Sequence, residues 1–92
     1  GEPGQSHPSS VNNVRITADN KYIISCGPAP KNKGFVAVWN LADGKLVTKW
    51  ELENGPAMSI SINKEGTQMA VSCGPKNRLK PDSEIVILNL PK

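Results

Sequence analysis

The chain is 92 residues long, which allows one domain at most and a single modest core. With 37% apolar residues and 8 glycines it falls near the ordinary globular range, so the chain as a whole is not disordered. No apolar run approaches the roughly 18–20 residues of a membrane helix. A net charge of +3, from 11 basic against 8 acidic residues, is mildly basic and by itself implies no nucleic-acid partner.

In chain order, residues 1–10 (GEPGQSHPSS) read as a flexible tail. The tail has no positive n-region and no apolar stretch, so no signal peptide is expected there. A mature or excised fragment would look the same, so the compartment, cytoplasmic or periplasmic/secreted, stays open. From Val11 the pattern has period two: Val14 and Ile16 alternate with Asn13, Arg15 and Thr17. Ala18-Asp19-Asn20-Lys21 has turn chemistry, and Tyr22 to Cys26 is a second strand. Two prolines and two glycines make 27–34 (GPAPKNKG) a loop that cannot continue a ladder. Phe35 to Leu41 is a β-branched and aromatic third strand, followed by an Asp-Gly hairpin turn at Ala42–Lys45 and a fourth strand from Leu46 to Leu52.

Asn54-Gly55-Pro56 breaks the chain again. Met58, Ile60 and Ile62 then alternate with Ser59, Ser61 and Asn63, which predicts a fifth strand. Lys64–Thr67 is a turn, Gln68 to Cys73 a sixth strand, and 74–83 (GPKNRLKPDS) a loop. Glu84 to Leu90 is the seventh strand, stopped by Pro91. Seven short strands with no helical pattern predict an all-β fold. Such short strands are not stable alone, so each sheet must pack on something.

Residue types for catalysis are scarce. The one histidine, His7, lies in the tail, so a nucleophile–base pair or a histidine-rich metal site cannot be built within the chain. Cys26 and Cys73 are each followed by Gly-Pro, like half of a thioredoxin-type site, but the resolving cysteine is missing: Ala29 and Lys76 come next. The glycines of 27–34 have neither the spacing nor the Gly-Lys-Ser/Thr ending of a phosphate loop. No cofactor and no metal are expected.

Shifted onto itself, the chain matches. Val14 and Ile16 fall on Ile60 and Ile62 at a shift of 46, and Asp19-Asn20 on Glu65-Gly66. Ser25-Cys26-Gly27-Pro28 falls on Ser72-Cys73-Gly74-Pro75 at 47, and Val38–Leu41 on Ile87–Leu90 at 49. Growth of the shift places small insertions in the turn near residue 66 and in the 74–83 loop. A four-stranded repeat of about 40–50 residues is the signature of a β-propeller blade.

These residues resemble the WD-repeat β-propeller family. VRITADNKYIISCG and FVAVWNLADGKLV supply the two halves of one copy, and SISINKEGTQMAVSCG with EIVILNLP supplies the second, so that the resemblance covers roughly 11–90. The motifs are degenerate: Trp39-Asn40 and Leu88-Asn89 stand where the family has Trp-Asp, and the opening Gly-His pair is missing. The family's His-Asp-Ser-Trp hydrogen-bond network is therefore not expected. The resemblance implies two antiparallel blades, a four-stranded one over 11–54 and an incomplete, three-stranded one over 55–92. Trp39, Tyr22, Phe35 and Trp50 read as core and blade-packing residues rather than a base-stacking array.

A closed propeller needs about 4–8 blades, which stabilise one another through neighbour contacts. The remaining blades are expected from a longer parent chain, the preferred reading, or from other copies. The function expected by analogy is a non-catalytic protein–protein interaction scaffold. The alternative is the propeller portion of a secreted or periplasmic bacterial protein associated with electron-transfer domains. A propeller enzyme would need reactive residues near the start of each innermost strand, where only Asn12, Asn13 and Ser59 stand. The loops 27–34 and 74–83 occupy equivalent places and carry Lys31, Lys33, Lys76, Arg78 and Lys80, stiffened by Pro28, Pro30, Pro75 and Pro81. All five cations are expected to be more than half exposed on one rim, for binding an acidic protein surface or, second to that, a polyanion, or else as a solvated rim without a partner. Cys26 and Cys73 are expected as free thiols at the same place in successive sheets roughly 10 Å apart, beyond disulfide reach.

Overall fold

The computed structural model describes residues 10–75 and 83–91. Seven strands follow in order: β1 (Asn13–Ile16), β2 (Tyr22–Ala29), β3 (Lys33–Asn40), β4 (Leu46–Leu52), β5 (Ala57–Ile62), β6 (Gln68–Cys73) and β7 (Glu84–Asn89). No α-helix occurs among the described residues. β1 to β4 form one antiparallel meander and β5 to β7 a second, so the molecule is all-β with a four-stranded and a three-stranded sheet, consistent with two blades.

The two meanders share one register. Asn13↔Cys26 through Ile16↔Ile23 in the first becomes Ser59↔Ser72 through Ile62↔Met69 in the second, a shift of 46 on both strands. Tyr22↔Asn40 through Cys26↔Val36 becomes Gln68↔Asn89 through Ser72↔Ile85, a shift of 46 on one strand and 49 on the other. The turns repeat as well. Asn20 N–H donates to the Thr17 carbonyl, and Gly66 N–H to the Asn63 carbonyl. Both Asn20 and Gly66 hold positive φ, which asparagine tolerates and glycine adopts freely. Leu41 N–H closes on Lys21, and Leu90 N–H on Thr67.

This register corrects one match made from the sequence. Ser-Cys-Gly-Pro aligned at 47, yet the ladders hold 46 through β6, so Cys26 corresponds to Ser72 and Cys73 to Gly27. A slip of one residue moves a side chain to the opposite face. The only added residue on β5 is a bulge at Met58, between Ala57 and Ser59, and the jump from 46 to 49 falls wholly between Cys73 and Glu84.

Alternation along the strands decides what each face buries. Ile24, Cys26, Val36, Val38 and Leu52 leave the first sheet on one side and meet Ile60, Met69, Val71, Cys73 and Leu90 from the second. This is the main core, and Tyr22, Trp50, Val86 and Leu88 pack against it. On the other side of the first sheet, Ala29, Phe35, Ala37 and Trp39 form a second cluster with Ile23 at its edge. The aromatic residues thus serve packing, as the sequence indicated. The Trp39 indole N–H donates to Ser25 Oγ at 2.9 Å in a buried setting, a side-chain bond across the β2–β3 pair that the sequence did not announce.

A further expectation changes. The 27–34 segment is not a loop: β2 runs through Gly27-Pro28-Ala29, and Ala29 still pairs with Lys33. Cys26 directs its carbonyl at Asn12, so alternation turns the nitrogen of Pro28 to the same side. There β1 has already ended, and no ladder bond is lost. Only Pro30, Lys31 and Asn32 make the connection, as one 3-10 turn. At Gly34 the chain of β3 lies against the β4–β5 link. A β-carbon there would collide with the Gly55 carbonyl and stand 3.0 Å from Ala57 N.

Candidate functional site

The basic residues expected on one rim separate into three groups. Lys31 is exposed at the tip of the β2–β3 turn, in a left-handed conformation (φ 65°, ψ 35°). Lys33 departs from expectation: its side chain is 27% exposed and lies 3.3 Å from Glu51 and 3.1 Å from Glu53. The pairing Gly34↔Leu52 brings the two acids flanking Leu52 across from it. The hydrogen bonds it donates to Glu53 and then Glu51 raise the Lys33 pKa, and its charge is paired at the sheet edge. Lys76, Arg78 and Lys80 lie outside the described residues. The strand ends bounding their segment, Cys73 and Glu84, emerge at the same end of the molecule as Ala29 and Lys33. β1 and β5 run alongside in the same sense, with Asn12 Nδ2 donating to the Ala57 carbonyl and Arg15 Nε to that of Ile60.

At the opposite end the repeated turns stand together. Thr17, Asp19, Lys21 and Tyr22 face Glu65, Gly66, Thr67 and Gln68 across a cleft of about 510 Å³, floored by Leu90. The first turn is held by Asp19, whose Oδ1 accepts from Thr17 Oγ1 at 2.6 Å and from Lys21 N–H at 3.0 Å. These hydrogen bonds, that of Thr17 first, hold the Asp19 carboxyl below its usual pKa. In the second turn Asn63 Oδ1 accepts from the N–H groups of Thr67 and Gln68. Sequence reasoning passed over this cleft. Its signal was the turn pair 18–21 and 64–67, which the repeat sets side by side once the sheets stack. The polar groups that hold each turn are already engaged within it, so the cleft is a structural seam with a polar lip.

The thiols lie in the main core. Cys26 and Cys73 are free, as expected, and fully buried. Their placement corrects the reason given for it: they do not hold the same position in successive sheets. Cys26 leaves the first sheet toward the second, and Cys73 leaves the second toward the first, so both enter one core cluster. Burial pushes the Cys26 thiol up to about 11, with a further rise from the proximity of Cys73. Burial, and then Glu84, also raises that of Cys73. Of the polar residues at the starts of the inner strands, Asn12, Asn13 and Ser59, Asn12 reaches Ala57 across the sheets, Asn13 pairs with Cys26 in the ladder, and Ser59 shares a hydrogen bond of 2.6 Å with Ser72. Among the described residues no group of three or more His, Cys, Asp or Glu side chains is placed to share a metal ion. Comparison with protein-family models, curated proteins and solved structures finds no match to this chain.

Proposed function

We propose that this chain is a non-catalytic segment of a WD-repeat-like β-propeller that acts as a protein–protein interaction scaffold, with its basic end directed at an acidic protein surface. The observation that carries the reading is the stacking of two meanders of identical register, each presenting a strand-to-strand connection at the same end. A rigid stack of this kind holds separate connections at fixed spacing, which lowers the ordering cost of binding. Lys31 is one exposed cation of that end, and the segment carrying Lys76, Arg78 and Lys80 joins the other. Lys33 is left out of this binding role because Glu51 and Glu53 already pair with it.

Retention on immobilised poly-glutamate tests this. The wild-type chain should be held at low salt and released at about 1 M, where the Debye length falls to roughly 3 Å. The triple variant K31E/R78E/K80E should not be held. An equal charge change at the opposite end, K21E/K45E/K64E, should leave retention largely intact, since all three lysines are exposed in the turn end. Equal loss in both triple variants would reduce the effect to net charge and overturn the basic end as a site. So would absence of retention in the wild type.

A further inference from the structure

Four strands lie at sheet edges, and three of them are guarded. β1 and β5 run side by side, with Asn12 and Arg15 donating across to the Ala57 and Ile60 carbonyls. β4 carries Lys49 and Glu51, both exposed, and is bulged where its pairing slips between Val38 and Trp39. Charges and bulges of this kind keep an edge from taking another strand. β7 has neither between Ile85 and Asn89. Its register on β6 is unbroken, and its single charge, Glu84 at the start, accepts from Asn54 Nδ2 at 3.3 Å. Among the described residues β7 pairs with β6 alone. Leu90 N–H closes on Thr67, so alternation turns the N–H and C=O groups of Ile85, Ile87 and Asn89 away from β6, to the free edge. The same two isoleucines expose their side chains, Ile85 by 73% and Ile87 by 58%.

The first sheet shows what belongs at such an edge. Val36 and Val38, the counterparts of Ile85 and Ile87, pair antiparallel with Trp50 and Thr48 of β4. Asn40, the counterpart of Asn89, donates its N–H to the Lys45 carbonyl and accepts from Gly44 N–H. The turn that returns β4 is not repeated. In it Asn40 Oδ1 accepts from Ala42 N–H. At the same shift Pro91 stands for Ala42 and has no N–H to donate, and Asn89 Oδ1 accepts from Gln68 Nε2 at 3.2 Å instead. We propose that β7 takes its fourth, antiparallel strand from a second polypeptide, an extended segment with apolar or β-branched side chains at alternate positions, as Trp50 and Thr48 supply in β4. Main-chain hydrogen bonds to Ile85, Ile87 and Asn89 provide the affinity, and side-chain contact across the pair with the two isoleucines selects the apolar residues. The repeat also sets the register: the incoming residue in the place of Trp50 lies opposite Ile85, and that in the place of Thr48 opposite Ile87. The basic end has no part in this contact, so either reading can fail while the other stands.

A labelled peptide with the sequence of β4, Leu46–Leu52, is the probe, titrated with the full chain and read by fluorescence anisotropy. It should bind the wild type. I87P removes an N–H from the middle of the free edge and no bond to β6, a place where a strand tolerates proline. It should weaken binding by about tenfold or more. If I87P lowers the melting temperature, the peptide carries the test on the unaltered chain. N-methylation at Thr48 and Trp50, whose N–H groups face β7 in this register, should abolish binding, whereas N-methylation at Lys49 and Glu51 should leave it largely intact. Failure of the unmodified peptide to bind overturns the proposal. So does full binding to a folded I87P, or equal loss with both methylation patterns. Sedimentation velocity of the chain alone addresses a second copy as the occupant: a monomer is expected, and a dimer that I87P dissociates would assign the edge to β7 of another copy and overturn the partner strand.

Discussion

A thiol in an apolar core is held in its neutral form, and both cysteines of this chain are in that state. The Cys26 pKa rises from 9.0 to about 11, while in the unfolded chain it returns to the ordinary range. Between those values the unfolded state has released a proton that the folded state retains, so stability falls as pH rises from about 9 to about 11. Denaturant midpoints measured over that window should decline, and C26A should flatten the decline after allowance for its own cavity. Ellman's reagent should find both thiols only after unfolding. Ser25 and Trp39 make a different kind of buried contact. S25A leaves the indole N–H without its acceptor and should cost about 1–3 kcal/mol by chemical denaturation. Lys31 offers a gain: its left-handed backbone suits asparagine better than lysine, and K31N should stabilise by roughly 0.5–1 kcal/mol.

The strands themselves could largely be read in advance, since β4 and β6 have the limits their alternation indicates. β2 outruns its pattern because glycine and proline signals describe what a residue tolerates, whereas the cost of Pro28 depends on which neighbour its nitrogen faces. Similarity of Ser-Cys-Gly-Pro misaligned the sixth strand on the second by one residue for a related reason. Small side chains fit either face, while the turn hydrogen bonds at Asn63 and Gly66 leave no such freedom. Of the basic end, the charges were plain in the sequence. The neutralisation of Lys33 was not, because Glu51 and Glu53 reach it only through the β3–β4 pairing. At the end of the same strand pair Gly34 lies close against the β4–β5 link, and G34A should destabilise by more than about 1 kcal/mol, since the facing atoms are backbone and cannot rotate away. Calorimetry of that variant should show one transition at lower temperature; an unchanged melt would mean that the β4–β5 link does not lie against β3.

At the scale of the molecule, the main core belongs to neither sheet alone, so the two should melt together in a single transition. M69A removes a buried side chain from the seam between them and should cost about 2–5 kcal/mol. The order of events in folding follows from topology. Every ladder joins strands that are consecutive in the chain, and most are closed by a short turn; only the docking of one meander on the other brings distant segments together. Local closure is fast and distant closure slow. The rate-limiting step should therefore already contain the hairpins, with the seam consolidated after it. G66A, which strains the β5–β6 turn at φ 72°, should act mainly by slowing refolding. M69A should act mainly by speeding unfolding. Stopped-flow chevrons of the two variants would separate the effects, and a refolding arm slowed as much by M69A as by G66A would place the docking of the meanders at the barrier itself.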